Sequence, residues 1–134
     1  MRRFVQCAVS LLLTAGLVVP AGAGTVMGTP HYMSPEQAQG KVADFRADIY
    51  SLGVLLFECL TGTLPFKGET ATQIVIAHIQ KTPPRPRSLK PNIPQDLEDA
   101  VLRCLAKDPA QRWQKVCDLN EVLNAVSTRA DAAA

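Results

Sequence analysis

The feature that most constrains the fold of this chain is an apolar segment between Phe45 and Leu60. If this segment is helical, its large apolar residues point in all directions around the helix axis. A helix that is apolar on every face is stable in water only when it is buried on every face. A chain of 134 residues provides one domain at most, so we expect this helix to lie at the centre of a single core. Its apolar residues are Ile49, Leu52, Val54, Leu55, Leu56, Phe57 and Leu60.

Four further helices are predicted from capping residues and from apolar residues three or four positions apart. Ser34 and Gln37 have the spacing of a capping box, with Pro35 in the first turn. Residues 82–94 hold five of the ten prolines and are predicted to be an irregular connection. No run of four or more residues has the alternation of a strand. The predicted class is all-α, with about five helices at 34–40, 45–60, 71–81, 94–107 and 115–126.

The composition is that of a globular chain and points to neither a nucleic-acid partner nor a metal. Apolar residues make up 47% of the sequence and charged residues 19%, which is typical of a domain with a buried core. The net charge of +2 comes from 14 basic and 12 acidic residues, and Arg2 and Arg3 account for the excess. We therefore expect no nucleic-acid partner. The four cysteines are scattered and neither histidine has metal-ligand spacing, so no metal site is predicted.

The first 23 residues have the pattern of a secretory signal peptide. A positively charged start is followed by an apolar stretch over residues 4–19, and Pro20 ends it. Small residues then predict cleavage after Ala23. An uncleaved anchor that contacts a membrane through residues 4–19 is one alternative, and an accidental start joined to a truncated reading frame is another. The leader predicts export or membrane association.

The sequence contains four motifs that together are typical of one family: Gly28-Thr29-Pro30-His31-Tyr32-Met33-Ser34-Pro35-Glu36, Asp48-Ile49-Tyr50-Ser51-Leu52-Gly53, Thr61-Gly62 with Pro65-Phe66, and Leu105-Ala106-Lys107-Asp108-Pro109-Ala110-Gln111-Arg112. In this order and at this spacing, they resemble the Ser/Thr protein kinases, closest to the bacterial type. The resemblance covers about residues 24–126 and implies a partial C-terminal kinase lobe over 24–127. The lobe would follow the signal-peptide-like segment 1–23 and precede a disordered tail, 128–134. Membership of this family implies a cytoplasmic location, which conflicts with the export that the leader predicts.

The resemblance also implies roles for individual residues. Glu36 would form a buried ion pair with Arg112, and Asp48 would hold the family's catalytic loop through hydrogen bonds to its backbone. The remaining residues would form the loop that accepts the substrate residue after the phosphorylated Ser or Thr, with Tyr32 in its wall. These substrate-docking residues are Gly28, Thr29, Pro30 and Tyr32.

Phosphoryl transfer in this family uses ATP and magnesium, held by motifs that this sequence does not contain. There is no Gly-rich loop, strand lysine, H-R-D loop or D-F-G motif among the 134 residues. Asp44-Phe45-Arg46 lacks the glycine and follows Glu36, whereas D-F-G precedes that position. We therefore predict no catalytic residue, no cofactor and no kinase activity for the chain as it stands.

Three functions remain open on the sequence. The first is a truncated Ser/Thr kinase domain, related to protein phosphorylation by descent alone. The second is a regulatory fragment whose docking surface binds an intact kinase or its protein substrates. The third is an exported helical scaffold.

The predicted central helix raises a problem of coverage. In the family, segments that precede the activation segment cover one side of it, and this sequence does not contain their motifs. We therefore expect several apolar side chains of the helix to stay in contact with water, at a cost of roughly 1.5–3 kcal/mol each. A marginal or aggregating chain would follow. The side chains concerned are Ile49, Leu52, Leu55, Leu56 and Phe57.

Overall fold

The computed structural model describes residues 29–133, and within them every regular element is helical. The all-α class predicted from the sequence is therefore confirmed. A 3-10 turn, Pro30–Tyr32, comes first, and a second one, Pro109–Gln111, lies between the last two helices. The predicted leader, residue 28 of the predicted docking loop and residues 4–19 lie outside the described residues. The helices are α1 (Pro35–Ala38), α2 (Phe45–Thr61), α3 (Ala71–Gln80), α4 (Pro86–Leu89), α5 (Gln95–Cys104) and α6 (Val116–Ala132).

The central helix α2 begins and ends at the residues that its capping chemistry requires. The Asp44 carboxylate accepts a hydrogen bond from the backbone N–H of Arg46, which is otherwise unpaired at a helix start. Gly62 ends the helix with φ at +78°, a left-handed conformation that glycine adopts without strain. Between these caps, the side chains of α2 face the core on most sides of the helix, as the sequence predicts.

Helices α2 and α5 cross in close contact because α2 carries a glycine at the crossing. A Cβ atom built on Gly53 would lie 2.4 Å from the Cβ of Cys104, so any larger residue would push the two helices apart. Helix α6 also packs on α5. The resulting core combines α2 with side chains that include Ala77, Phe66, Leu97, Val101, Leu105, Leu119, Leu123 and Val126.

The expectation that one side of α2 stays in water is wrong for the side chains that prompted it. Ile49, Leu52, Leu56 and Phe57 have exposed fractions between 0% and 8%, and Leu55 is half-buried. The close approach at Gly53 brings α5 against α2, and side chains of α3, α5 and α6 belong to the same core cluster as those of α2. Within the described residues, the large apolar side chains that are exposed are Phe45, at the start of α2, and Val42, Ile76, Leu89 and Val116.

Two boundaries differ from the sequence-based prediction. The proline-rich connection contains the short helix α4, whose first residue, Pro86, is buried. The carboxylate of Glu98, 1% exposed, accepts a hydrogen bond from the backbone of Arg87 at 2.8 Å and so fixes α4 to α5.

Helix α6 continues to Ala132, so residues 128–132 are helical and do not form the predicted disordered tail. No proline or glycine interrupts that stretch, and Arg129 forms an ion pair with Asp96. Within residues 29–133, no helix is long and apolar enough to span a membrane.

Candidate functional site

The predicted docking loop, as far as the structure describes it, is the segment Thr29–Met33. Thr29 is exposed and has an extended backbone, and the 3-10 turn Pro30–Tyr32 follows it. Proline fits the first position of the turn, because the backbone N–H that it lacks would have no acceptor within the turn. The hydroxyl of Thr29 contacts Nδ1 of His31 at the exposed side of the turn. The turn packs against both α2 and α3.

Tyr32 fixes this segment to α2 through two hydrogen bonds. Its hydroxyl donates to a carboxylate oxygen of Glu58 at 2.6 Å, and its carbonyl accepts from the hydroxyl of Ser51 at 2.7 Å. Ser51 and Glu58 are two helical turns apart, so they lie on the same face of α2. The hydrogen bond to Glu58, with a further contribution from burial, raises the pKa of Tyr32 to about 12. The phenol therefore stays protonated and remains a donor at physiological pH.

A capping box turns the chain from this segment into α1. The backbone N–H of Gln37 donates to the Ser34 hydroxyl at 3.3 Å, and the Gln37 side chain accepts from the Ser34 backbone N–H at 3.0 Å. The sequence predicts this reciprocal arrangement. Ser34 is fully buried, and the first turn of α1 directs Glu36 into the interior.

The structure brings Glu36 and Arg112 together as a two-pronged ion pair. The two terminal nitrogens of the guanidinium donate to the two carboxylate oxygens, each at 2.7 Å. The side chain of Arg112 is 0% exposed and that of Glu36 is 9% exposed. A planar guanidinium and a carboxylate match in this geometry, which makes the pair both strong and specific in direction.

The remaining N–H groups of Arg112 all donate to backbone carbonyls. Nε donates to Ala106 at 2.8 Å, one terminal nitrogen donates to Arg46 at 2.9 Å, and the other donates to Lys107 at 3.2 Å. All five donors of the guanidinium are thus satisfied. This one side chain connects α1, the start of α2 and the turn after α5, which are far apart in the sequence.

Electrostatics keep the Glu36 carboxylate ionised. Burial alone would raise its pKa, but hydrogen bonds from Arg112, from the backbone and from Ser34 outweigh burial, so the pKa lies below its usual value. As the pH falls, the pair therefore persists until the carboxylate is protonated, which occurs below its usual pKa.

Asp48 lies in the first turn of α2, where a negative charge is favourable. The residue is exposed, and its carboxylate accepts no hydrogen bond from residues 29–133. Partial burial still raises the pKa of the carboxyl group. The described part of the chain therefore contains no partner for the role that the family resemblance implies for Asp48.

Several residues at the site were not identified from the sequence. Glu58 is the only acidic residue in the second half of the apolar α2, and that isolation was an available signal. Tyr50 and His78, both buried, form a second cluster with the half-buried Lys107 next to Arg112, and no pattern in the sequence indicated this cluster. No group of three His, Cys, Asp or Glu side chains suited to a metal occurs within the described range. The arrangement holds the Thr29–Met33 segment against α2 and α3.

A comparison with family models matches residues 14–125 to the protein kinase domain. The match begins inside the segment predicted to be a leader. Among curated proteins, the chain is 44% identical over 95 residues to the serine/threonine-protein kinase PrkC of Bacillus subtilis. It is 40% identical over 94 residues to the serine/threonine-protein kinase PknB of Mycobacterium tuberculosis. These alignments cover 71% and 70% of the chain.

Among solved structures, the fold is similar to that of the twitchin kinase region from C. elegans, with a TM-score of 0.63 and 27% identity. That alignment covers 72% of this chain and 16% of the twitchin chain. Likewise, the chain spans about 15% of the length of the two bacterial kinases. The match to the family model and the helical fold agree with the motifs from Thr29 to Arg112, and the chain belongs to the protein kinase family, as a Ser/Thr kinase-related segment of the C-terminal lobe.

Proposed function

We propose that this chain provides the substrate-docking part of a Ser/Thr kinase lobe and does not itself transfer phosphate. The observation that carries the proposal is the attachment of the Thr29–Met33 segment. Tyr32 fixes it to α2 through Ser51 and Glu58, and the Glu36–Arg112 pair fixes the chain that follows it. A docking loop needs this kind of support, because binding costs less when the loop is already ordered.

The exposed side of the segment suits a protein ligand. Thr29 is exposed and the residues of the 3-10 turn are half-buried, so part of the segment is accessible while Tyr32 holds it to α2. The preferred ligand is an extended peptide that contains Ser or Thr, as the named activity of the bacterial relatives suggests. An intact kinase that uses the same peptides would then compete with this chain.

The absence of phosphate transfer is proposed from the sequence. Charge stabilisation at the transferred phosphoryl group requires a base, metal ligands and a phosphate-binding lysine in defined positions. None of the motifs that supply them is among the 134 residues. The full chain, incubated with labelled ATP, magnesium and a generic basic protein substrate, should incorporate no more label than a blank without protein. Incorporation that persists after contaminating kinases are removed would contradict this part of the proposal.

Docking is tested separately, with a Ser- and Thr-centred peptide library and the full chain. Tyr32→Ala removes both the ring and its hydrogen bond to Glu58, and we expect it to weaken peptide binding at least tenfold. Leu89→Ala, an exposed substitution on α4, is the matched control and should bind as the unchanged chain does. Circular dichroism establishes that each variant is folded. Equal binding by a folded Tyr32→Ala variant would exclude docking at this segment.

A second function, export as a helical scaffold, is favoured by the signal-peptide pattern of residues 1–23. Expression in the native host followed by fractionation and N-terminal sequencing tests it. Recovery outside the cytoplasm, with the chain beginning at Gly24, would support export. Recovery in the cytoplasm with Met1 or its neighbour retained would exclude it.

A further inference from the structure

His78 is a fully buried side chain of α3 whose ring is enclosed by aromatic residues. It packs edge-on against Phe66, with ring centroids 4.9 Å apart, and against Tyr50, with ring centroids 5.7 Å apart. Its Nδ1 lies 2.8 Å from the Tyr50 hydroxyl. Its Nε2 has no hydrogen-bond partner within residues 29–133. A buried polar atom without a partner is uncommon and calls for an explanation.

The hydrogen bond to Tyr50 defines the neutral tautomer of His78. In the described part of the chain the Tyr50 hydroxyl makes this one hydrogen bond, so its proton is donated to Nδ1. The neutral imidazole then carries its own proton on Nε2. Uptake of a second proton would place it on Nδ1, which would then donate to the Tyr50 oxygen instead of accepting from it. Protonation therefore reverses this hydrogen bond and leaves the Tyr50 O–H without an acceptor within residues 29–133.

The environment of His78 includes a cation. Lys107, in the turn after α5, donates from Nζ to the backbone carbonyl of His78 at 2.7 Å. The same ammonium group lies 4.2 Å from the centroid of the Phe66 ring. A positive charge on His78 would thus form next to another positive charge in a buried site, where repulsion is poorly screened.

The other elements around His78 offer it little compensation. On the α2 side, Arg112 stacks 5.0 Å from the Tyr50 ring centroid, and Glu36 on α1 is already paired with Arg112. From the 3-10 turn, the backbone of His31 favours protonation of His78, whereas the His31 side chain opposes it. Helix α3 itself contains no Asp, Glu, Lys or Arg.

We propose that His78 makes the packing of α3 against the Thr29–Met33 segment and α2 acid-sensitive, so that mild acid loosens the predicted docking loop. The basis is the position of the ring, between α3, α2, the turn at His31 and the turn at Lys107. The device depends on these contacts and not on what the loop binds. It is therefore independent of the function proposed above.

The direction of the effect follows from linkage. Burial, and then the charge of Lys107, lower the pKa of His78 from 6.5 to about 4. The unfolded chain therefore binds this proton more readily than the folded chain does. The stability that neutral His78 provides is complete above pH 6.5 and is lost as the pH falls toward about 4. Within that window, the folding equilibrium constant should fall by up to about tenfold per pH unit on account of this residue.

The test compares the full chain with His78→Gln and His31→Gln. The chain has two histidines, so His31→Gln is the matched control that removes the other one. Chemical unfolding is measured from pH 7.5 to pH 4.5. Carboxylates titrate in all three proteins, so a difference in slope isolates His78. We expect the unchanged chain and His31→Gln to lose stability more steeply below pH 6.5 than His78→Gln. Equal slopes in His78→Gln and the unchanged chain would overturn the proposal.

Two further measurements on the unchanged chain keep the proposal testable if His78→Gln does not fold. Proton NMR follows the two imidazole signals, assigned with His31→Gln, and the His78 signal should titrate well below pH 6.5. Titration at or above pH 6.5 in the folded chain would overturn the proposal. Hydrogen exchange at pH 5 should expose the amides of Thr29–Met33 and α3 before those of α5. Simultaneous exposure of all three would also overturn it.

Discussion

At the scale of single residues, Arg112 makes more hydrogen bonds than any other side chain described at the site. Its five N–H groups are paired with Glu36 and with three backbone carbonyls, and its side chain is inaccessible to solvent. A buried charge is tolerated when its hydrogen bonds are complete, and removal of one partner leaves the other charge unpaired. Most of the loss in unfolding free energy on a substitution here therefore comes from the buried charge that is left without its partner.

Glu36→Ala or Arg112→Ala should each lower the free energy of unfolding by about 3–5 kcal/mol, because each leaves one buried charge unpaired. The double variant should lose much less than the sum of the two, since neither charge then remains. Urea unfolding of the three variants and the unchanged chain provides the double-mutant cycle. Additive losses would mean that the two side chains do not interact in solution.

The tyrosines provide a prediction about alkaline pH. The chain has two tyrosines, and both pKa values are raised: that of Tyr32 to about 12, first by its hydrogen bond to Glu58, and that of Tyr50 by burial. The folded chain holds these protons more tightly than the unfolded chain, so stability is complete below pH 10 and falls as the pH rises above it. The ultraviolet absorbance of phenolate should therefore stay low at pH 10 while the chain is folded. In Tyr32→Phe, the signal that remains belongs to Tyr50. An increase in phenolate absorbance centred near pH 10, with helicity intact, would contradict the raised pKa values of Tyr32 and Tyr50.

At the scale of elements, the contact between α2 and α5 depends on a missing side chain. Gly53 lies in the interior of a helix, where glycine is less favourable than alanine by about 0.5–1 kcal/mol. It is tolerated because a Cβ would meet the Cβ of Cys104 at 2.4 Å. Neither Cβ atom can move unless its backbone moves. Packing therefore requires glycine at this position, although alanine has the higher helix propensity.

Gly53→Ala should therefore destabilise the chain despite its better helix propensity. Overpacking of a core typically costs about 1–3 kcal/mol, which exceeds the gain of up to about 1 kcal/mol from alanine. Asn124→Ala, at an exposed position of α6, is the matched control and should be neutral or slightly stabilising. The midpoint of urea unfolding distinguishes the two. A stabilised Gly53→Ala variant would mean that α2 and α5 are farther apart than the structure shows.

At the scale of the whole molecule, the core is more complete than the sequence predicts. The apolar residues expected to face water on α2 are mostly buried, and side chains from α3, α5 and α6 belong to the same cluster. The five large apolar side chains that are exposed within residues 29–133 come from α2 with its approach, α3, α4 and α6. A chain that closes its core in this way should unfold as one unit.

The full chain should accordingly show one cooperative thermal transition. It contains one tryptophan, Trp113, whose indole N–H donates to the carbonyl of Ala100 at 3.1 Å and whose ring packs under Arg103. Fluorescence of Trp113 reports on packing and far-ultraviolet circular dichroism reports on helicity, and the two transitions should coincide. Loss of helicity at a higher temperature than the change in fluorescence, or no fluorescence transition at all, would indicate a loosely packed core.

The local features of this protein can be predicted from its sequence. The capping box at Ser34, the helix from Phe45 with apolar residues on every face and the all-α class follow from residue types at short spacings, and such patterns act within one element. The kinase family also followed from sequence, through four motifs in order. The pairing of Glu36 with Arg112 was implied by that family resemblance, and no periodic pattern indicated it.

Contacts between side chains that are distant in the sequence depend on the tertiary structure. Arg112 lies 76 residues from Glu36 and 66 from Arg46, Tyr32 lies 26 from Glu58, and Tyr50 lies 28 from His78. No local pattern links such positions, because each contact depends on how whole helices cross. The crossing in turn depends on packing, as at Gly53, where the absence of one side chain lets two backbones approach. The helices could therefore be predicted from the sequence. The contacts that attach the Thr29–Met33 segment, and the surroundings of the buried His78, could be described only from the folded core.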